Sequence, residues 1–206
     1  MEKQDIRICF IGDSFVNGTG DPEFLGWTGR LCAAALTPEI ELTYYNLGIR
    51  RDTSADIAQR WQQEAQARLP NGSDNRLVFS FGVNDTTHNG THLRVEQEQS
   101  VANARSILME AMRQYPVLMI GPLPIYSVDD EAQSADKSHN ARSRELDKAF
   151  EHLCRDIGVP YLSVFDAMFT MPVWEQEVVA NDGAHPLAGG YAALANVVRA
   201  WDAWWF

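Results

Sequence analysis

The chain has 206 residues, of which 45% are hydrophobic and 22% are charged, and this composition is typical of a globular protein. The length predicts one domain over residues 1–206, because it suffices for one buried core and is short for two. The formal net charge of −11 at pH 7 argues against nucleic acid or an anionic membrane surface as a partner, since phosphate binding needs a basic face.

Strand and helix signals alternate along the chain. The predicted strands are residues 6–11, 41–48, 77–82, 117–121 and 159–164, which are short apolar runs that end on turn residues. The predicted helices are residues 24–36, a segment capped by 52–54 that runs through 68, then 93–115, 142–157 and 187–205. Five strands, each followed by a helical crossover, predict an α/β fold with a parallel sheet covered on both faces. The expected strand order is 2-1-3-4-5, with the switch point between strands 1 and 3.

The cysteines and the N-terminus bear on the compartment. Cys9, Cys32 and Cys154 are odd in number and widely spaced, which favours buried thiols of a reduced compartment over a disulfide framework or a zinc site. Residues 1–5 are charged, and the apolar run that follows lacks the h-region and cleavage site of a signal peptide. No run approaches the length of a membrane span. These features predict a cytoplasmic protein without stable membrane insertion.

Candidate catalytic residues follow the ends of the predicted strands. Ser14 comes directly after the first strand, and Asp182 and His185 lie in the long connection after the fifth. A serine hydroxyl becomes a good nucleophile when a base takes its proton, and histidine is the side chain suited to that near neutral pH. Asp182 lies three positions before His185, so a single turn could bring its carboxylate to the imidazole ring. The alternatives are a helix N-cap for Ser14, a plain turn for Asp182 and a polar residue before the last helix for His185.

Attack on an ester carbonyl also creates an oxyanion, which needs hydrogen-bond donors already in position. The backbone N–H groups of Ser14 and Gly48 and the side-chain amide of Asn84 fit this role, because they follow strands 1, 2 and 3. Taken alone, Gly48 is a common strand-ending glycine and Asn84 a common turn residue. We expect all these groups to meet at one edge of the sheet.

Four short motifs make the chain resemble the GDSL, or SGNH, hydrolases. The motifs are Gly12-Asp13-Ser14, Asn46-Leu47-Gly48, Gly82-Val83-Asn84-Asp85 and Asp182-Gly183-Ala184-His185-Pro186, in the order of that family. The resemblance implies a flavodoxin-like three-layer fold and a serine hydrolase, free of metal and cofactor, that acts on esters, thioesters or carbohydrate acetyl groups. It implies that Ser14 is the nucleophile, His185 the base and Asp182 its orienting partner, with Ser14, Gly48 and Asn84 forming the oxyanion hole.

Some features depart from the usual pattern or stand outside it. Phe15 replaces the leucine of the family name, and Arg50 and Arg51 are interpreted as surface arginines, with an anionic substrate group as the alternative. His88 and His92 have metal-like spacing, but Gly90 lies between them and no third ligand is near, so no metal is predicted. Segment 126–139 is expected to be a polar loop, or else a lid. The aromatic tail 201–206 is expected to pack on the sheet, with a homo-oligomer contact or a lipid contact as the alternatives.

Other functions remain open at this point. Within the same fold, an acyl thioesterase or a carbohydrate acetylesterase would use the same residues. A flavin- or nucleotide-binding protein of the same topology would use Asn17-Gly18-Thr19-Gly20 as a phosphate loop, but that function leaves Asn84, Asp182 and His185 unexplained. An inactive hydrolase retained as a carbohydrate-binding module is disfavoured, because all the catalytic residue types are present.

Overall fold

The computed structural model describes residues 3–126 and 138–206. Its central sheet consists of five parallel strands, and the order β2-β1-β3-β6-β7 confirms the predicted 2-1-3-4-5 arrangement. These strands are β1 (Gln4–Gly12), β2 (Ile40–Gly48), β3 (Asp74–Ser80), β6 (Val117–Ile120) and β7 (Tyr161–Leu162). A two-residue antiparallel pair, β4 (His88–Asn89) and β5 (His92–Leu93), lies outside this sheet.

Helices cover both faces of the sheet. They are α1 (Ser14–Asn17), α2 (Gly26–Ala34), α3 (Ser54–Gln66), α4 (Gln97–Ala111), α5 (His139–Ile157), α6 (Phe165–Phe169), α7 (Pro172–Ala180) and α8 (Ala188–Arg199). Along β1, Ile8 and Phe10 join the core that packs against α2, α7 and α8. Cys9 and Ile11 join the core that packs against α3, α4 and α5. Because alternate residues of a strand point to opposite faces, β1 is buried on both sides and the fold has three layers.

Some predicted element boundaries were wrong. The helix predicted over 93–115 begins at Gln97, because β5 and the hydrogen bond from the Val95 N–H to the Asp85 carbonyl hold the preceding residues in a loop. The helix predicted over 187–205 ends at Arg199 and is followed by turns. Helices α6 and α7 were not predicted.

The C-terminal aromatic residues pack within the chain. Trp204 is buried, and its ring lies 6.4 Å from that of Phe10 in the sheet core. The guanidinium of Arg76 lies 5.2 Å from the ring centroids of both Trp205 and Phe206, a cation–π arrangement. Much of this aromatic surface therefore contacts the chain itself, and a homo-oligomer through the tail stays a prediction.

The three cysteines are buried and form no disulfide. Burial raises the pKa of each thiol to about 12, so all three stay protonated near neutral pH. Among the helices of residues 3–126 and 138–206, none is both long and apolar enough to cross a membrane.

Candidate active site

Ser14 lies where β1 ends and helix α1 begins. The N-cap of α1 is Asp13, whose Oδ1 accepts a hydrogen bond from the Phe15 N–H at 2.9 Å. The N-cap interpretation of Ser14 is therefore wrong, since Asp13 supplies the cap and Ser14 is the first residue of the helix. The Ser14 side chain is thus left for another partner.

That partner is His185, which is 171 residues away in sequence. The His185 Nε2 lies 2.7 Å from the Ser14 Oγ, and the His185 Nδ1 lies 2.8 Å from the Asp182 Oδ2. Ser14 and His185 are 5% and 9% exposed, whereas Asp182 is at the more open end of the chain of contacts. Side chains from the two ends of the sequence thus form a continuous hydrogen-bonded series of hydroxyl, imidazole and carboxylate.

The turn from Asp182 to His185 sets this geometry. The Asp182 Oδ1 accepts hydrogen bonds from the backbone N–H groups of Ala184 at 2.9 Å and His185 at 2.8 Å. Gly183, with φ of +79°, occupies the left-handed region that glycine tolerates best. Burial alone raises the pKa of Asp182, but its hydrogen bonds from His185 and Ala184 outweigh burial and hold the pKa below its ordinary value. The carboxylate therefore stays ionised and orients the imidazole.

The aromatic side chain of Phe15 supports the His185 ring. The two ring centroids lie 5.0 Å apart, and Phe15 stacks on Trp174 at 6.0 Å on another side. Phe15 is buried, so it acts as a packed wall against the imidazole. This contact gives a physical reason for an aromatic residue where the family name has leucine.

Gly48 is the last residue of β2 and packs closely against helix α1. A Cβ atom at this position would lie 2.1 Å from the Asn17 backbone nitrogen, so only glycine allows this approach. The Gly48 N–H donates to the Asn46 Oδ1 at 3.1 Å, and the Asn46 Nδ2 donates to the Val16 carbonyl at 2.6 Å. An oxyanion would therefore compete with Asn46 for the Gly48 N–H.

Asn84 lies in the loop after β3, on the same edge of the sheet. Its Nδ2 donates to the backbone carbonyl of Asp52 at 3.0 Å and to the Asp13 Oδ2 at 3.4 Å. Asp52 was predicted to be part of a helix cap, but the N-cap of α3 is Thr53, in a capping box with Asp56. The contacts of Asp13 and Asp52 with Asn84 were missed, because no local pattern joins residues so far apart in sequence.

Asp13 is a buried carboxyl beside the nucleophile candidate. Its pKa is raised to about 7, chiefly by burial and also by the negative charges of Asp85 and Asp52, while the hydrogen bond from the Phe15 N–H lowers it. The ordinary value of 3.8 applies in the unfolded chain. The folded state therefore holds a proton that the unfolded state releases between these two values, and the free energy of unfolding falls as pH rises through this window.

Asp13→Asn removes this titration while keeping a side-chain oxygen for the Phe15 N–H. We expect the variant's free energy of unfolding, relative to that of the original chain, to rise by on the order of 2 kcal/mol between about pH 5 and about pH 8. Urea unfolding at several pH values measures this difference. Parallel pH profiles for the two proteins would contradict the raised pKa.

A cleft of about 470 Å³ lies next to the site. It is lined by residues 17–21, Phe24, Asn46 and Arg50. Within the first of these segments, Gly20 packs so closely on His185 that an added Cβ would lie 3.3 Å from the His185 Cβ. Phe24, at the rim of the cleft, is 92% exposed and has φ of +58°, which is unusual for a large residue.

Residues 17–20 are also the segment that a flavin- or nucleotide-binding protein of this topology would use as a phosphate loop. The next helix, α2, begins only at Gly26, so this segment does not lead directly into a helix N-terminus as a phosphate loop does. Arg50 and Arg51 are both exposed, and the Arg51 carbonyl accepts a hydrogen bond from Arg94 at 2.7 Å. Of the two arginines, Arg50 is the one that borders the cleft.

Two other predicted features lie apart from the site. His88 and His92 belong to the small β4–β5 pair, and in the described part of the chain no three His, Cys, Asp or Glu residues are arranged to hold a metal ion. Most of the segment considered as a lid, residues 127–137, lies outside the described residues. Tyr126, just before it, donates its N–H to the Gly183 carbonyl at 2.7 Å, within the turn that carries His185.

Comparison with solved structures shows the same fold in bacterial proteins. The lipase/acylhydrolase from Enterococcus faecalis has a TM-score of 0.73 and 21% identity, covering 96% of this chain and 93% of its own. The acetylxylan esterase Axe2 from Geobacillus stearothermophilus has a TM-score of 0.73 and 17% identity, covering 96% and 94%. A member of the lipolytic protein G-D-S-L family from Veillonella parvula has a TM-score of 0.69 and 17% identity, covering 95% and 96%.

Because the sequence identities to these solved structures are low, the structural likeness shows a shared fold and no more. No curated protein sequence matches the chain. A family model does match, over residues 10–193, which includes every residue of the site described above. The chain belongs to the GDSL-like lipase/acylhydrolase family and is an ester hydrolase.

Proposed function

We propose that this protein cleaves a carboxylic ester through an acyl-enzyme formed on Ser14. The observation that carries the proposal is the hydrogen-bonded series from Asp182 through His185 to the Ser14 Oγ, at 2.8 and 2.7 Å. An imidazole with one nitrogen on a carboxylate and the other on a hydroxyl is the arrangement that activates a serine.

The acylation step follows from this geometry. The His185 Nε2 takes the proton of the Ser14 hydroxyl while the oxygen attacks the acyl carbon, and Asp182 stabilises the resulting imidazolium. The Ser14 and Gly48 N–H groups and the Asn84 amide donate to the oxyanion. When the tetrahedral intermediate collapses, His185 gives its proton to the leaving alcohol, and the acyl group stays on Ser14.

Water completes the cycle by the same steps in reverse order. His185 takes a proton from a water molecule that attacks the acyl-enzyme, and the carboxylic acid leaves as Ser14 recovers its proton. The chain itself supplies the nucleophile, the base and the oxyanion donors, so the proposed cycle uses no metal or cofactor.

An acid-quenched reaction tests the covalent step. Mixing the protein with p-nitrophenyl acetate and measuring its intact mass early in turnover should show one acetyl group, which peptide mapping places on Ser14. A burst of p-nitrophenol equal to the enzyme concentration accompanies it when water attack is the slower step. Turnover at the original rate in Ser14→Ala, which cannot form this adduct, would favour direct attack by water.

The leaving group is a separate question. An oxygen ester is our first proposal, and a thioester or a carbohydrate acetate would use the same residues. Axe2 has the same fold and is named as an acetylxylan esterase, and the cleft beside the site combines polar groups with the exposed ring of Phe24. Comparing kcat/KM for matched acetyl esters, acetyl thioesters and acetylated xylo-oligosaccharides distinguishes the three.

Asn84→Ala tests the oxyanion hole. We expect kcat to fall by about 10²–10³-fold with a much smaller change in KM, because the amide bonds more strongly to the oxyanion than to the substrate carbonyl. Steady-state kinetics measures the change. Asn89→Ala, which removes an exposed amide in β4, is the control and should leave kcat unchanged. An unchanged kcat in Asn84→Ala would remove this residue from the hole.

A further inference from the structure

Arg60, on helix α3, lies under the edge of the sheet that carries the site. Its side chain is only 16% exposed. The guanidinium donates to two backbone carbonyls, those of Gly12 at 2.9 Å and Leu47 at 3.0 Å. It also bonds the carboxylates of Asp52 at 2.7 Å and Glu64 at 2.9 Å. One planar cation therefore joins the ends of β1 and β2 to the loop that follows β2.

The contact with Leu47 acts on the peptide unit that carries a proposed oxyanion donor. The Leu47 carbonyl and the Gly48 N–H belong to the same peptide group, which is planar and trans, so they point in opposite directions. By fixing the carbonyl, Arg60 fixes the direction of the Gly48 N–H. A cation on the carbonyl oxygen also polarises the peptide and makes its N–H a stronger donor.

Two of the other three contacts of Arg60 reach the remaining donors. The Gly12 carbonyl lies two residues before Ser14, at the point where β1 gives way to the turn that presents the Ser14 N–H. The Asp52 carboxylate is held by the Arg60 Nε, and the Asp52 backbone carbonyl accepts the Asn84 Nδ2 at 3.0 Å. The same guanidinium therefore binds a residue close in sequence, or hydrogen-bonded, to each of the three proposed oxyanion donors.

We propose that Arg60 is the positioning residue of the oxyanion hole, which sets the relative placement of the Ser14, Gly48 and Asn84 donors without touching substrate. This inference rests on the proposed function, because it assigns a support to donors that the acyl-enzyme mechanism requires. Arginine suits the task, since its rigid fork reaches acceptors in several directions at once. Lysine would keep the charge but concentrates it at one nitrogen.

A purely structural ion pair is the competing explanation, and a matched control separates the two. Arg76 is similarly buried, at 13% exposed, and is paired with Asp74 at 2.6 Å near the start of β3, at the end of the sheet opposite the site. Arg60→Lys, Arg60→Gln and Arg76→Gln are compared by thermal unfolding and by kinetics with p-nitrophenyl acetate. If Arg60→Gln fails to fold, Arg60→Lys decides the question.

We expect kcat of the Arg60 variants to fall by about 10–100-fold with KM changed by less than about threefold, because displaced donors weaken binding of the transition state and hardly affect the substrate. Arg76→Gln should lower thermal stability and leave kcat unchanged. Loss of stability without loss of kcat in both Arg60 variants would overturn the proposal.

The affinities for two matched inhibitors give a measurement that would not change if Arg60 had only a structural role. In a trifluoromethyl ketone the Ser14 Oγ forms a bond to the carbonyl carbon, the π electron pair moves to oxygen and the proton passes to His185, so the adduct carries an oxyanion. The matched methyl ketone binds without this step. We expect the Arg60 variants to lose affinity for the trifluoromethyl ketone by the factor lost in kcat, and to bind the methyl ketone as before.

The outcomes also distinguish this inference from the function on which it rests. Equal loss of affinity for both ketones, or no loss for either, overturns the role of Arg60 and leaves the Ser14 mechanism standing. If the unsubstituted protein itself forms no adduct with the trifluoromethyl ketone while it hydrolyses esters, the proposed acyl-enzyme fails and the role of Arg60 fails with it.

Discussion

Replacing Ser14 with alanine is expected to lower kcat for ester hydrolysis by about 10⁴-fold or more, because no other group can take over the covalent step. The substitution removes one oxygen from a residue that is not the helix cap, since Asp13 caps α1. The fold should therefore be unchanged. Steady-state kinetics with an activated ester, together with thermal unfolding, measures both expectations.

Ser143→Ala is a matched control for this variant. Ser143 is also fully buried, and its Oγ lies 3.4 Å from the His139 Nδ1, so it too is a serine beside a histidine. Ser143 stands outside the hydrogen-bonded series of Ser14, His185 and Asp182, and its replacement should leave kcat within about threefold of the original. Full activity in Ser14→Ala, or an equal loss in both variants, would overturn the assignment of the nucleophile.

Replacing His185 with alanine has the second-largest expected effect, again a loss in kcat of about 10⁴-fold or more. Without the imidazole, the Ser14 hydroxyl keeps its proton and attacks slowly. Because Ser14 and His185 act as one unit, the double variant Ser14→Ala/His185→Ala should lose no more activity than either single variant. Kinetics of the three variants with one ester measures this lack of additivity.

His152→Ala provides the control for the removal of an imidazole. His152 is exposed on α5, and its Nδ1 lies 2.8 Å from the Lys148 carbonyl of the same helix. The kcat of His152→Ala should match that of the original protein. If the losses in Ser14→Ala and His185→Ala instead multiplied in the double variant, the two side chains would act independently and the proposed proton transfer between them would be wrong.

The sheet and the placement of the site could be predicted from the sequence because both depend on local signals. Each main strand is an apolar run with a clear end, and the carboxyl ends of parallel strands meet at one edge of a sheet. Ser14, Gly48 and Asn84 follow three adjacent strands, so their convergence required only the strand order. His185 reaches Ser14 because the chain returns to that edge before α8.

Other features depend on tertiary contacts that no local pattern shows. The start of α4 is delayed because Arg94 and Val95 bond back to the loop after β3, and the chain after α8 turns because its aromatic residues pack on the core. Aspartate and arginine are residue types common at helix caps and on surfaces, so nothing local in the sequence singles out the contacts of Asp13, Asp52 and Arg60. Their roles become visible only when the ends of β1, β2 and β3 lie side by side.

The most direct test of an acyl-enzyme on Ser14 is intact-protein mass spectrometry after treatment with a fluorophosphonate probe, followed by peptide mapping. The probe phosphonylates a serine only when a neighbouring base activates it. We predict a single adduct on Ser14, its absence in Ser14→Ala, and normal labelling of Ser143→Ala. A folded protein that takes no adduct, or one that takes it at another serine, would contradict the account.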